Sequence, residues 1–328
     1  MDILSKDYLL YENVINYVNV GLPEEESFKV EANDLVFVRS SETKDEVGWA
    51  KTYRDTNYSL YSGFVIRGKV YGDVNSFFVE NTLNYKQRRQ IQALANGSTR
   101  YNISQQTLNS IKISLPQLEE QNRISILLEK IDSIITLEQE KHELLVNYKK
   151  YLIQNIFKQE HSKTKSLKEV ATITTGKLNA NAMVKDGRYD FYTSGISKYK
   201  INEYAFEGPA ITIAGNGATV GFMHMANGKF NAYQRTYVLQ NFKINRDYLF
   251  YNIQKELPRK IHEESRTGSI PYIVMDMLED LPIYVTDQNK MNQLGNLLYL
   301  VNSILDKSSL RIEKIIKTKD FLLQQLFI

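Results

Sequence analysis

Two stretches of this chain carry apolar residues that recur at three, four and seven. In the first, Ile124, Leu128, Ile131, Ile135, Leu145, Leu152 and Ile156 recur among Glu and Lys, the stripe of an amphipathic helix that packs against one partner. The spacing predicts a helix from about Leu118 to Phe157, roughly 60 Å long at the helical rise per residue. The second stretch runs from Gln288 to Phe327, with Met291, Leu294, Leu298, Val301, Ile304, Leu305, Ile312, Ile315, Ile316 and Leu322 as its apolar series. Each stripe needs a cover, and packing the two rods antiparallel as a coiled coil buries both.

Ahead of each rod the pattern changes. Asp34-Leu35-Val36-Phe37-Val38-Arg39 and Gly63-Phe64-Val65-Ile66-Arg67 are β-branched and aromatic runs bounded by turn formers, as strands are. Residues 75–95 have helical spacing, and Asn96-Gly97-Ser98-Thr99-Arg100-Tyr101 breaks it as a turn. After a polar linker, His161 to Ser166, strands are predicted at 171–175, 208–215 and 235–239, and a helix at Tyr248 to Lys255. Gly268-Ser269-Ile270-Pro271-Tyr272-Ile273-Val274 then pairs with Gly97-Ser98-Thr99-Arg100-Tyr101-Asn102-Ile103. The rods repeat as well. Leu115-Pro116 and Glu120-Gln121-Asn122 return as Leu281-Pro282 and Asp287-Gln288-Asn289, and Leu152-Ile153-Gln154-Asn155-Ile156-Phe157 returns as Leu322-Leu323-Gln324-Gln325-Leu326-Phe327. The second rod start carries one extra residue, and three more accumulate before Val301-Asn302-Ser303-Ile304. The two rods are therefore expected to differ in length and phase. The chain divides into a module at 1–114, a rod at 115–157, a second module at 158–280 and a second rod at 281–328. This is an α+β architecture: two mixed α/β modules separated by two long helices packed as an antiparallel coiled coil.

Composition narrows the class. Across 328 residues, 42% hydrophobic and 24% charged residues are globular proportions, and no apolar run reaches the roughly 18 residues of a spanning helix. The opening Met1-Asp2-Ile3-Leu4-Ser5-Lys6-Asp7 lacks the apolar region of a signal peptide. With no cysteine the chain has neither disulfides nor thiolate metal sites, and the expected location is the cytoplasm. His142, His161, His224 and His262 lack ligand spacing, so no metal is expected. Residues 158–280 hold 17 Lys and Arg against 13 Asp and Glu, a mild basic excess compatible with phosphate contact.

Catalytic signals are scarce. Gly215-Asn216-Gly217-Ala218-Thr219-Val220-Gly221 has its third glycine one place late for a dinucleotide loop and no Lys-Ser or Lys-Thr to make a phosphate loop, so it reads as a strand-to-strand turn. There is no G-x-S-x-G elbow, and no Asp-Pro-Pro-Tyr or Asn-Pro-Pro-Phe of an amino-methylating enzyme. What the modules carry instead is Tyr, 22 in the chain, interleaved with Arg, Lys, Ser, Thr and Asn, the side chains that bond phosphates and base edges. The candidates in the first module are Arg39, Ser40, Lys51, Tyr53, Arg54, Ser98, Arg100 and Tyr101. In the second they are Thr175, Lys177, Ser194, Lys198, Tyr199, Arg235, Arg266, Thr267, Ser269 and Tyr272. Any single one is more often an ordinary polar loop residue.

Leu115-Pro116-Gln117-Leu118-Glu119-Glu120-Gln121-Asn122-Arg123-Ile124, followed by Ile131-Asp132-Ser133-Ile134-Ile135 and Tyr148-Lys149-Lys150-Tyr151-Leu152, resembles the central spacer of the specificity subunit of type I restriction-modification systems. Lys168-Glu169-Val170-Ala171-Thr172-Ile173-Thr174-Thr175-Gly176-Lys177 is similar to the opening of a target recognition domain in that family. The resemblance covers nearly the whole chain and is weakest over residues 1–30. It implies two target recognition domains that each read one half of a bipartite duplex DNA sequence, with the helices setting the gap. It also implies two modification subunits, which bring S-adenosylmethionine and methylate adenine, and restriction subunits recruited through them with ATP and Mg²⁺; the chain itself binds no cofactor and no membrane and has no active site. The first module lacks an opening like Leu167 to Lys177, so its recognition domain is expected to be trimmed. Two other readings stay open: a free-standing enzyme that modifies or cleaves DNA, and a defective half-reader acting mainly as a scaffold.

Overall fold

The computed structural model describes residues 2–4, 8–157, 163–264 and 271–327. The chain falls into two compact units, Met1–Gln139 with Leu310–Ile328, and Glu140–Ser309. Each holds one module, the start of one long helix and the end of the other.

In the first unit the order is α1 (Leu22–Phe28), β1 (Lys29–Val30), β2 (Leu35–Val38), β3 (Ser40–Ser41), β4 (Ala50–Thr52), β5 (Ser59–Leu60), β6 (Val65–Gly68), α2 (Ser76–Asn81), a π-turn over Thr82–Lys86, α3 (Arg88–Leu94), β7 (Tyr101–Asn102) and α4 (Gln105–Asn109). The long helix α5 (Leu118–Ile156) follows. All four residues of β2 are buried because it is the centre of the antiparallel sheet β4-β2-β6 and has a core on each face. Leu35 and Phe37 point into a cluster with Ile66, Val79, Ile91 and Ile103, while Val36 and Val38 point into another with Leu9, Val30 and Tyr53, the alternation a strand imposes.

The second unit continues with β8 (Lys163–Ser166), α6 (Leu167–Val170), β9 (Thr172–Thr175), β10 (Tyr189–Tyr192), β11 (Tyr199–Ile201), β12 (Phe206–Glu207), β13 (Ala210–Ala214), β14 (Met223–Ala226), β15 (Lys229–Ala232) and β16 (Thr236–Gln240). Then come α7 (Arg246–Glu264), α8 (Met275–Glu279), β17 (Pro282–Val285) and α9 (Gln288–Leu326). Here β13 is the buried central strand, between β14 and β16, and β9 adds a fourth strand beyond β16. A second sheet, β11-β10-β15-β12, closes the other face around Tyr192 and Phe230. The Gly-rich segment 215–222 is the β13–β14 turn, with Gly217 and Gly221 at positive φ. Helix α7 runs past the expected Lys255, through Pro258, because Leu257 and Ile261 beyond that point still bury against the core.

Both rods form, and both are 39 residues long. This overturns the expected mismatch in length and phase. Nothing is inserted before the second rod: the short helices ahead of the rods and the rod starts Leu118 and Gln288 all lie 170 residues apart, so the match of Leu115-Pro116 to Leu281-Pro282 is four residues out of register. Buried and half-buried positions then follow one seven-residue repeat in each: Gln121, Leu128, Ile135, His142, Lys149 and Ile156 in α5, Met291, Leu298, Leu305, Ile312, Lys319 and Leu326 in α9, with a second series between them. Ile304 and Ile316, expected on the stripe, fall outside that repeat and are exposed.

The rods pair antiparallel within each unit. In the first, Lys319 pairs with Asp132 and Arg311 Nε lies 3.1 Å from Glu138 Oε1. In the second, His142 Nδ1 meets Ser308 Oγ at 3.3 Å and Lys149 Nζ donates to Asn302 Oδ1 at 2.7 Å. Rising numbers on α5 meet falling numbers on α9, and the polar partners inside an apolar seam make a slipped register costly, since a slip leaves them unpaired. The rods also grip the modules alike. Asn75 caps α2 by accepting from Phe78 N, and its backbone and side chain are held by Gln121, Asn122 and Ser125 of α5. Asn245 does the same for Tyr248 N in α7, and α9 approaches it so closely that a Cβ on Gly295 would sit 2.1 Å from Asn245 Oδ1. At the far ends Phe157 packs on Tyr248 and Phe327 on Phe78, with ring centroids 5.0 and 5.1 Å apart. No helix of the described residues is long and apolar enough to cross a membrane.

The seam assignment separates neighbouring residues of similar chemistry. Leu298→Ala, at a position with no exposed surface, should lower stability in urea by about 2–5 kcal/mol. Ile304→Ala, 40% exposed, should stay within about 0.5 kcal/mol of the parent. Equal losses would mean that the stripe read from the sequence, and not the seven-residue repeat, marks the contact.

Candidate nucleic-acid interface

In each module the polar loops gather where the central strand ends. In the first unit β2 runs out into Arg39, whose N–H donates to Phe64 O and whose carbonyl accepts from Ile103 N, both at 3.0 Å. Its exposed guanidinium donates to Gly63 O at 3.2 Å. β3 then pairs with β7, and Arg100 Nε donates to the buried Ser40 hydroxyl at 2.8 Å while its guanidinium lies over the exposed Phe64 ring. Lys44 sits over the Tyr101 ring at 5.6 Å. Ser98 is exposed in the turn between them, where Gly97 at φ 128° is required, since a Cβ would come within 2.0 Å of Arg100 O. Arg39, Lys44 and Arg100 thus share one sheet end with Phe64 and Tyr101, beside the carboxylate of Glu46, which takes the Ser41 hydroxyl.

The second unit ties several loops together at the corresponding place. Gly176 N donates to Thr236 O, Gln234 N to Leu178 O, Tyr233 N to Tyr192 O, Gly215 N to Arg235 O and Ile273 N to Gly215 O, at 2.8–3.1 Å. Ser194 Oγ donates to Asn216 Oδ1 at 2.7 Å, and Asn216 bridges to Tyr272. The result is one surface made of residues 175–178, 193–198, 215–222 and 233–235 with Tyr272. It exposes Lys177, Lys198, Arg235, Tyr199 and Tyr272, and those four loops contain no Asp or Glu. Thr175 is half-buried at the end of β9, opposite Tyr237. Cation-bearing loops with no carboxylate of their own, with aromatic faces beside them, suit a polyanion.

His224 lies under this surface, with ring centroids 5.2 Å from Tyr192 and 4.9 Å from Phe222. Burial holds its pKa below the usual 6.5, Lys198 pushes the same way, and the Gly195 backbone and Asp190 oppose. Burial also pushes the Tyr192 phenol up to about 12.

Three expected contacts are used inside the fold. Lys51 is buried in β4 opposite Val36. Tyr53 is buried, and its hydroxyl donates to Asn57 O at 2.5 Å. Arg54 lies between the rings of Tyr8 and Phe77, at 4.3 and 4.0 Å, and reaches Glu129 of α5 at 3.0 Å. Arg266, Thr267 and Ser269 lie outside the described residues. Lys44, Phe64, Asn216 and His224 join the surfaces without having been expected there. The mixed charges around Lys44 look like any solvated turn, and Phe64 reads as part of a strand. The pairing of the two module exits is also shifted by one residue. Ile273 N bonds Gly215 as Ile103 N bonds Arg39, so Tyr272 corresponds to Asn102, because the hydrogen-bond register and not the shared tyrosine sets the equivalence.

The sequence matches the type I restriction modification DNA specificity domain twice, over residues 16–147 and 159–294. The chain belongs to this family. Among its relatives, the type I restriction enzyme EcoDI specificity subunit of Escherichia coli is 34% identical over 153 residues, 47% of this chain and 34% of that protein, so the chain spans about a third of its length. A putative type I specificity subunit of Mycoplasma pneumoniae is 22% identical over 261 residues, 74% of this chain and 70% of its own. The crystal structure of the type I restriction-modification S subunit from M. genitalium superposes with a TM-score of 0.67 at 17% identity, covering 92% of this chain and 85% of that one. A structure concerned with complex assembly and conformational transition of the type I system gives 0.57 at 14% identity, over 91% and 82%. This likeness to specificity-subunit folds bears out the expected architecture of two mixed modules and two long helices.

The His224 environment sets a pH dependence for this family member. The unfolded chain takes up the imidazole proton near 6.5, and the folded one only at lower pH, so stability is lost as pH falls below about 6.5. Between pH 7 and 5.5 the urea midpoint of His224→Gln should fall less than that of the parent. An equal fall would place the cause elsewhere.

Proposed function

We propose that this chain is the sequence-reading subunit of a type I restriction-modification complex and is not itself catalytic. Each unit reads one half of a bipartite duplex target through its strand-end surface, and the paired helices set the gap. The observation that carries the reading is the double loop surface: two modules built on one plan, both presenting Arg and Lys beside exposed aromatics at the end of the central strand. Family membership supports it. Arg100 and Arg235 are assigned to base edges or phosphates, with Arg39, Lys177, Lys198 and Tyr272 beside them; Ser98, Tyr199 and Ser194 line the same surfaces. Arg266, Thr267 and Ser269 remain assigned from their sequence alone. Two modification subunits, carrying S-adenosylmethionine, dock on the chain, and restriction subunits with ATP and Mg²⁺ join through them. The cytoplasm, where the DNA is, is the site of action.

Mapping methylated adenines in cells that contain the chain with its modification subunits tests this. A two-part motif with a fixed gap is expected. Inserting one heptad into both helices, about 10 Å of rod, should lengthen the gap by roughly three base pairs and leave both halves unchanged. Arg100→Ala should relax one half and Arg235→Ala the other, by about 1–3 kcal/mol if each grips a base edge. Methylation or cleavage by the purified chain alone, or a gap that ignores the insertion, would contradict the proposal.

A further inference from the structure

A carboxylate stands in the first strand-end surface, where a polyanion would repel it. The β3–β4 turn holds three acids, Glu42, Asp45 and Glu46, whereas the four loops of the second surface hold none. Asp45 is turned toward α3, where its Oδ1 accepts from Gln92 Nε2 at 2.7 Å. Glu42 is exposed and held by no side chain among the described residues. Glu46 differs from both. It is half-buried, its Oε2 takes the Ser41 hydroxyl, and no Lys or Arg pairs with it among the described residues. Ser41 lies opposite Tyr101 in the β3–β7 ribbon, next to Ser40, which holds Arg100. Successive residues of a strand face opposite ways, so Arg100 and Glu46 leave the ribbon on different faces. The turn is held from α3 as well. Arg88 Nη2 donates to Lys44 O at 3.0 Å and to Val47 O at 2.6 Å, and a Cβ on Gly48, at φ 69°, would sit 2.5 Å from Ile91 Cγ2. A carboxylate so fixed does not swing away from an approaching phosphate, and its repulsion weakens binding unless a group on the duplex bonds to it.

We propose that Glu46 determines specificity in the first half-site by accepting a hydrogen bond from the exocyclic amino group of a cytosine. The proposal rests on the reading of this surface as one that binds duplex DNA. Ser41 orients the carboxylate through Oε2 and leaves Oε1 for the base. Arg100 donates and Glu46 accepts, so the ribbon reads both kinds of base edge, at two separate positions. The repulsion between Glu46 and the phosphates falls on every sequence alike, and only a duplex with an amine in place offsets it. A like charge thereby sharpens discrimination instead of raising affinity.

The test uses the full chain with its modification subunits and three duplexes: the two-part motif mapped by methylation, the same with its first half scrambled, and the same with its second half scrambled. Glu46→Gln keeps an acceptor for Ser41 and removes the charge. It should bind the duplex with the scrambled first half about twofold more tightly at low salt. At one G·C pair of the first half it should lose about tenfold or more of the discrimination, with the second half as selective as in the parent. That pair should differ from the one relaxed by Arg100→Ala. Ser41→Ala, which frees the carboxylate, should weaken discrimination at the same pair as Glu46→Gln, and Glu42→Gln should change affinity for all three duplexes by one factor. A mapped first half without a G·C pair would overturn the proposal. So would Glu46→Gln raising affinity for all three duplexes alike, as a bystander charge does, or lowering it for all three alike, as a support of the fold does. If Arg100→Ala relaxes the first half and Glu46→Gln does not, the surface reads DNA without Glu46; if the parent prefers none of the duplexes, both readings fall.

Discussion

Everything in this fold leans on two helices of equal length meeting antiparallel in one register. Within each unit the contact is apolar, Leu128 with Leu323 in one and Leu298 beside Leu152 in the other, but apolar contact alone does not choose a register. The choice comes from groups that must find partners: Asp132 with Lys319, Glu138 with Arg311, His142 with Ser308, Lys149 with Asn302. A slip by one heptad would leave a carboxylate or an ammonium against leucine, at a cost of several kcal/mol. The ends are fixed as firmly, by an asparagine that caps a module helix at each start and a phenylalanine buried against Phe78 or Tyr248 at each finish.

That arrangement explains why each unit contains parts of both long helices. A module with small sheets and short helices needs further apolar cover, and the rods supply it. The first module closes over Leu128, Leu323 and Phe327, and the second over Phe157, Met291 and Leu298. The strand-end loops take no part in that apolar cover. The two surfaces already differ: one mixes Arg39, Lys44 and Arg100 with Glu46, and the other is free of carboxylates in its loops.

The rods are the most legible part of the sequence, since a spacing of three and four over 39 residues has few other meanings. What the spacing does not tell is which aliphatic residue faces in. Ile304 and Leu305 compete for the same stripe, and only the partner helix decides for Leu305. Central strands are legible as short apolar runs, and α7 is read too short because Pro258 looks like a stop. Within the candidate surfaces, Arg39, Arg100, Lys177, Lys198 and Arg235 stand exposed at strand ends as expected. Lys51, Tyr53 and Arg54 do not, because a run of polar and aromatic letters looks the same in a loop and in a strand packed near Phe77, Tyr8 and Glu129. Pairwise partners across 75 residues of chain, such as Arg54 and Glu129, leave no local trace.

The absence of cysteine from the chain makes the register directly measurable. Paired substitutions Lys149→Cys with Asn302→Cys, and Asp132→Cys with Lys319→Cys, join residues whose side chains touch in the structure; Lys149→Cys with Ser309→Cys is displaced by one heptad. Under mild oxidation the first two pairs should be joined faster than the displaced pair, which one heptad of rise sets about 10 Å further along the rod. Equal or faster joining of the displaced pair would contradict the antiparallel register on which the whole account rests.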